Sequence, residues 1–214
     1  MKIILYLFPV LFMSCLSPKK STPDELPAKA ILDQHKHKFE DRFVSHFPLT
    51  LESDEVTVSC NTNTEKNDVG LFLYEYNVPS SVLSKRTNDL VKKSIVHYQA
   101  SDTCLLIVNR FESTDTYESF EKSAIADSSL IDRSCYSTLL PIPNFVSYSK
   151  PEVLAMKLSS DFTVYVLEAK PGKATKKYTM EPSPQMPENW KNGSSKGIAI
   201  SEKNKTIIYW VIIW

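Results

Sequence analysis

Glycine is scarce in this chain. Four residues of 214, at Gly70, Gly172, Gly193 and Gly197, leave little material for the backbone cradles that hold phosphate in nucleotide-binding loops. No Walker loop, dinucleotide fingerprint or Gly-x-Ser-x-Gly elbow is present. Histidine is no more abundant. His35 and His37 are two apart, which on a helix points them in different directions, His46 stands at a helix end before Phe47-Pro48, and His97-Tyr98 reads as the end of a helix. No metal and no cofactor is expected. Net charge is zero, with 25 basic and 25 acidic residues, so bulk attraction gives no basis for binding nucleic acid or an anionic membrane. No apolar run approaches the roughly 20 residues that a membrane-spanning helix requires.

What is present suits one domain of ordinary size, since 42% hydrophobic residues in a chain of this length can bury a core without metals or dense disulfides. In residues 24–47, Ile31, His35, Phe39, Phe43 and Phe47 recur at multiples of four, which predicts an amphipathic helix ending before Pro48. Residues 56–60 and 70–76 alternate as two strands around a polar turn, a hairpin. Pro79-Ser80-Ser81 opens a helix with Val82, Leu83, Leu90, Val91 and Ile95 on its buried face. The nearly continuous apolar run 103–111 is expected as a central strand, and a short helix is expected over 116–126. A long connection follows over 128–150. Residues 162–169 form a strand stopped by Pro171-Gly172, and a proline-bearing loop runs over 173–195. The chain closes with a strand at 198–201, a turn at 202–205, and residues 206–214, which are apolar on both faces and predict an inner strand. This order implies an α+β domain: a largely antiparallel sheet of about five to seven strands with two or three helices packed on it.

The start of the chain carries a different signal. Lys2 precedes an uncharged apolar stretch over 3–13, then Ser14-Cys15, then the polar run Ser17-Pro18-Lys19-Lys20-Ser21-Thr22-Pro23. Over residues 1–23 the chain resembles bacterial lipoprotein precursors, with Phe12 and Met13 standing where leucine and a small residue are usual. The resemblance implies a signal peptide over 1–14, lipidation of Cys15, a flexible tether to residue 30, and the α+β domain over 31–214. It also implies a bacterial envelope location, with Leu16 in place of a retention aspartate favouring the outer membrane. Two or three acyl chains on one thiol anchor a protein far better than a single chain does.

Cys60, Cys104 and Cys135 remain, an odd number in an oxidising compartment, which predicts one disulfide among them and one free thiol. The carboxylates Glu75, Glu112, Asp115, Glu118 and Glu168 lie near element ends, and a Cys60 or Cys104 thiol could meet His46 or His97, but no catalytic motif joins any of these groups. Residues 170–205 carry eight lysines against Glu181, Glu188 and Glu202, a locally basic end that is either a solvated face or an anion-binding surface. Within it Trp190, Lys191 and Tyr178 are the candidate interaction surface. Trp190 has either folded back to cap the core, as the neighbouring Trp210 and Trp214 favour, or been left out for a partner. The functional expectation is a non-catalytic envelope lipoprotein that binds a protein or glycan partner. A lipid-anchored hydrolase and a periplasmic immunity-type lipoprotein are the alternatives.

Overall fold

The computed structural model describes residues 27–112, 123–145 and 158–214. Its first elements are α1 (Ala28–Lys36) and α2 (Asp41–Val44), two short helices where the periodicity suggested one. The reason lies in the spacing: at 3.6 residues per turn a four-residue repeat drifts by about 40° per step, so one straight helix from Ile31 to Phe47 could not keep the stripe on one face. The chain resets instead at Glu40, which is extended, and Leu32 rather than Ile31 joins Phe39, Phe43, Val44 and Phe47 in the core. The helix begins at Ala28, inside the span expected to be tether. Residues 1–26, with Cys15 and the signal segment, lie outside the described residues.

β1 (Val56–Asn61) and β2 (Val69–Glu75) form the expected hairpin around a single 3-10 turn, in which Asn67 takes the left-handed conformation at φ 60°. α3 (Ser80–Lys93) follows, with Leu83 and Leu90 buried. Val91 and Ile95, assigned by sequence to its buried face, are more than half exposed: Val91 falls a quarter-turn away from that line, and Ile95 lies beyond the helix, which ends at Lys93 before an extended Ser94. His97-Tyr98 does not end this helix but lies in β3 (Val96–Gln99), an edge strand.

The apolar run 103–111 is buried but is not a central strand. Only β4 (Ile107–Val108) pairs, in parallel with β5 (Ile142–Pro143), and Asn109 at φ 49° then turns the chain away. The run is apolar on both sides because it lies as a cover between the sheet and the outer loops. Of the short helix expected over 116–126, residues 116–122 lie outside the described residues and 123–126 are not helical.

β6 (Thr163–Pro171), β7 (Gly193–Ser201) and β8 (Thr206–Ile213) complete a six-stranded, wholly antiparallel sheet in the order β1-β2-β8-β7-β6-β3. β7 starts five residues earlier than its apolar pattern, because Gly193 pairs with Pro171 of β6 and Ser194, Ser195 and Lys196 pair with β8 despite their polarity. β8 is the inner strand expected, and its alternate residues serve two cores. Ile207, Tyr209, Val211 and Ile213 face the helices. Ile208, Trp210 and Ile212 face the irregular layer of β4, β5 and their flanks.

Cys104 and Cys135 are joined, with Cα atoms 6.4 Å apart, and Cys60 is a half-buried free thiol. The bridge ties the 105–111 cover to a short 3-10 helix, Ser134–Thr138. Closing a 31-residue separation contributes on the order of 3–4 kcal/mol by restricting the unfolded chain. A covering layer with so little regular hydrogen bonding depends on such a tie.

Candidate functional site

Three arrangements of polar groups stand out. The first is a groove of about 790 Å³ between the α1–α2 corner and the loop that leaves β6. Pro171 ends that strand and Gly172, at φ 86°, turns the chain, its N–H donating to Asn192 O at 2.8 Å. The loop is then fastened to the helical corner by side chains. Arg42 donates to Ala174 O, Thr175 Oγ1 donates to Glu40 Oε1 at 2.6 Å, and Tyr178 OH donates to Lys38 O at 2.7 Å while its ring packs on Phe39. Lys196 in turn donates to Arg42 O.

The groove that results has an apolar floor of Met180, Ile213 and Trp214 and a cationic rim of Arg42, Lys173, Lys176 and Lys177. Glu40 is the one acidic side chain among the described lining residues, against the four basic side chains of the rim. That carboxyl is held below its usual range, first by the Thr175 hydroxyl and then by Arg42, so it stays ionised and occupied. Lys173, Lys176 and Lys177 are exposed and make no ion pair within 4 Å among the described residues, although Lys177 adds to the charges that hold the Glu40 carboxyl down and stands 5.8 Å from the centroid of the Tyr178 ring.

Of the three residues proposed from sequence as an interaction surface, only Tyr178 lines this groove. Trp190 is 7% exposed: its ring lies 6.1 Å from that of Trp214, and its carbonyl accepts from Trp214 Nε1 at 2.7 Å. It caps the core and is not a platform. Lys191 is half-buried beside it. What sequence reading missed was Arg42, more than 130 residues from the lysines, and the loop docking that brings them together.

The second arrangement is a buried polar cluster between a cleft of about 500 Å³ and a void of about 40 Å³. Asn109 Nδ2 donates to Asp68 Oδ2 at 2.6 Å, Ser183 Oγ donates to Asn109 Oδ1 at 3.2 Å, and Lys66 Nζ lies 3.8 Å from Glu112 Oε2. Gln185 Oε1 accepts from Phe111 N, and Asn144 Nδ2 donates to the carbonyls of Asn109, Arg110 and Glu112. Those three carbonyls settle which way the Asn144 amide points. They leave Oδ1 facing no partner among the described residues, beside a void large enough for a water.

Gln185 and Asn144 hold backbone while Asn109 bridges the side chains of Asp68 and Ser183, so the cluster pins the 105–112 segment to the hairpin turn and to the 183–185 loop. The described cleft lining holds no histidine or cysteine, and Ser183 is fully buried. Asp115 and Glu118 lie outside the described residues.

The third centres on His46. Its Nε2 bonds Trp210 O at 3.0 Å, and Nδ1 is buried with no partner among the described residues. Burial, the largest cause, lowers the imidazole to about 4, so the ring is neutral and carries its proton on Nε2. Of the other members of the possible cysteine–histidine pairs, Cys104 is bridged, burial pushes the free Cys60 thiol up, and His97, on the edge strand, has its ring 5.7 Å from that of Tyr165 on β6.

His46 has a consequence for stability. Its folded pKa lies below the unfolded value of 6.5, so the unfolded chain takes up a proton first as pH falls. The stabilisation present above pH 6.5 is lost progressively down to about pH 4, on the order of 3 kcal/mol in all. Urea unfolding at pH 7 and near pH 4 should show His46→Gln losing less stability than the parent over that interval. Equal losses would remove His46 from the account.

Comparison with known proteins gives no match: no family model, no curated protein and no solved structure resembles the chain. Among the described residues no group of three or more His, Cys, Asp or Glu side chains could hold a metal ion, and no helix is long and apolar enough to cross a membrane.

Proposed function

We propose that this chain is a lipid-anchored protein of a bacterial outer membrane, held through Cys15, whose α+β domain is a non-catalytic binding module. The observation that carries the binding reading is the groove: a concave site with an apolar floor and a four-cation rim, whose three lysines make no ion pair within 4 Å among the described residues. Unpaired charge arranged around a cavity is available to a ligand, whereas the amides of the buried polar cluster are committed to the fold. The anchor reading rests on the order of charge, apolar stretch, Ser14-Cys15 and polar tether at the start of the chain.

Growth with a clickable fatty acid should label the native chain and place it in the membrane fraction. Cys15→Ala should abolish both the label and the membrane association. A Cys15→Ala chain that still carries the label would overturn lipidation at this residue.

A further inference from the structure

We infer that the Arg42–Lys173–Lys176–Lys177 groove is a seat for the phosphate-bearing headgroups of the membrane to which the chain is anchored, an inference that rests on the anchor reading above. Two observations meet here. The first is charge and shape: the rim offers four cations around a concave opening, and the floor of Met180, Ile213 and Trp214 is apolar. An anionic phosphodiester attached to a less polar glycerol or sugar body matches that layering, with phosphate at the rim and body on the floor.

The second is where the anchor leaves the domain. α1 spans Ala28–Lys36, a length of roughly 13 Å, and its end is fastened to the groove, since Lys38 O accepts the Tyr178 hydroxyl and Phe39 packs on the Tyr178 ring. The chain between Cys15 and Ala28 can span at most roughly 47 Å. A lipid on Cys15 therefore keeps the groove within reach of the headgroup layer. One acyl-bearing cysteine and one cationic patch together orient a domain on a bilayer as neither does alone.

The test uses the chain from Leu16 onward, which lacks the signal segment and Cys15 but keeps every described residue of both cores, all of which lie at or beyond Leu32. Cosedimentation is measured with vesicles of phosphatidylcholine alone and of phosphatidylcholine mixed with phosphatidylglycerol. The expected result is binding to the anionic vesicles only, weakened by added salt and reduced on the order of 100-fold by Lys173→Ser/Lys176→Ser/Lys177→Ser. These three side chains are exposed, so an unchanged thermal midpoint should confirm that the variant is folded.

Lys170→Ser/Lys203→Ser/Lys205→Ser removes the same charge from lysines that do not line the groove and should leave binding nearly intact. Equal binding to both kinds of vesicle, or equal losses in the two triple variants, would overturn the groove as the seat. Groove-dependent stabilisation by inorganic pyrophosphate without vesicle binding would also overturn it, in favour of a soluble phosphate ligand. Since this chain has no Cys15, its result is independent of the fatty-acid labelling that tests the anchor.

Discussion

A chain ending at Lys205 is expected to accumulate as insoluble, unfolded protein. The nine residues removed include eight apolar side chains, from Ile207 to Trp214, and none of the eight is more than 5% exposed. At about 1.5–3 kcal/mol for each fully buried side chain, their burial contributes roughly 12–24 kcal/mol. Those values take an extended unfolded chain as reference and are upper bounds. Even so, they exceed the 5–15 kcal/mol or so by which ordinary domains are stable.

The topology makes the loss worse than the sum. β8 lies between β2 and β7, so its removal opens two ladders and exposes both cores at once. It also removes the Trp214 partner of Trp190 and the backbone pair between Gly193 and Trp214. Expression of the shortened chain followed by a urea titration checks this. Soluble protein with a cooperative transition would contradict it.

Gly197→Ala is expected to be the most damaging single-methyl change in the molecule. A Cβ at this position would stand 2.1 Å from Tyr165 O and 2.6 Å from Trp210 Cζ2. The first neighbour is the backbone of the adjacent strand and the second is a fully buried indole, so neither can yield cheaply. The cost should reach at least about 3 kcal/mol, a fall in Tm of roughly 6–12 °C for a domain of this size.

Gly193→Ala meets a related obstacle, Trp214 Cζ2 at 2.7 Å and Lys170 O at 2.9 Å. Gly172→Ala separates the two reasons for needing glycine. Nothing lies within 4 Å of its Cβ, and only the positive φ of 86° opposes the change, so its cost should be about 1–2 kcal/mol. Thermal melts of the three variants should rank Gly197→Ala as the worst and Gly172→Ala as the mildest. A Gly197→Ala midpoint close to that of the parent would mean that β6 and β7 can separate more freely than their packing allows.

These glycines also show how much of the fold was legible. Gly193 and Gly197 are spaced by four, as are Trp210 and Trp214, and each glycine lies under one of those indoles on the same face of neighbouring strands. The spacing is in the sequence, but its meaning depends on the β7–β8 register, which no local pattern reveals. The hairpin, β6 and β8 were legible because each carries alternation or an unbroken β-branched run between clear turn residues. The 103–111 run was misread by the same rule. Apolar residues on both faces announce burial on two sides, and an inner strand and a covering layer satisfy that equally well. His97-Tyr98 failed for want of length, since four residues carry too little periodicity to separate a helix end from an edge strand.

By itself, then, the sequence determined the α+β class, the inner position of the last strand and the presence of a locally basic segment, because these follow from composition, periodicity and charge along short stretches of chain. Tertiary structure alone decided which cysteines pair, that Trp190 is a cap, and that the lysines of residues 173–177 meet Arg42 around a cavity. The physical reason is the same in each case: every one of these facts is a contact between residues far apart in the chain, selected by how two faces of one sheet are covered. Local preferences set the pieces, and packing decides which of them come into contact.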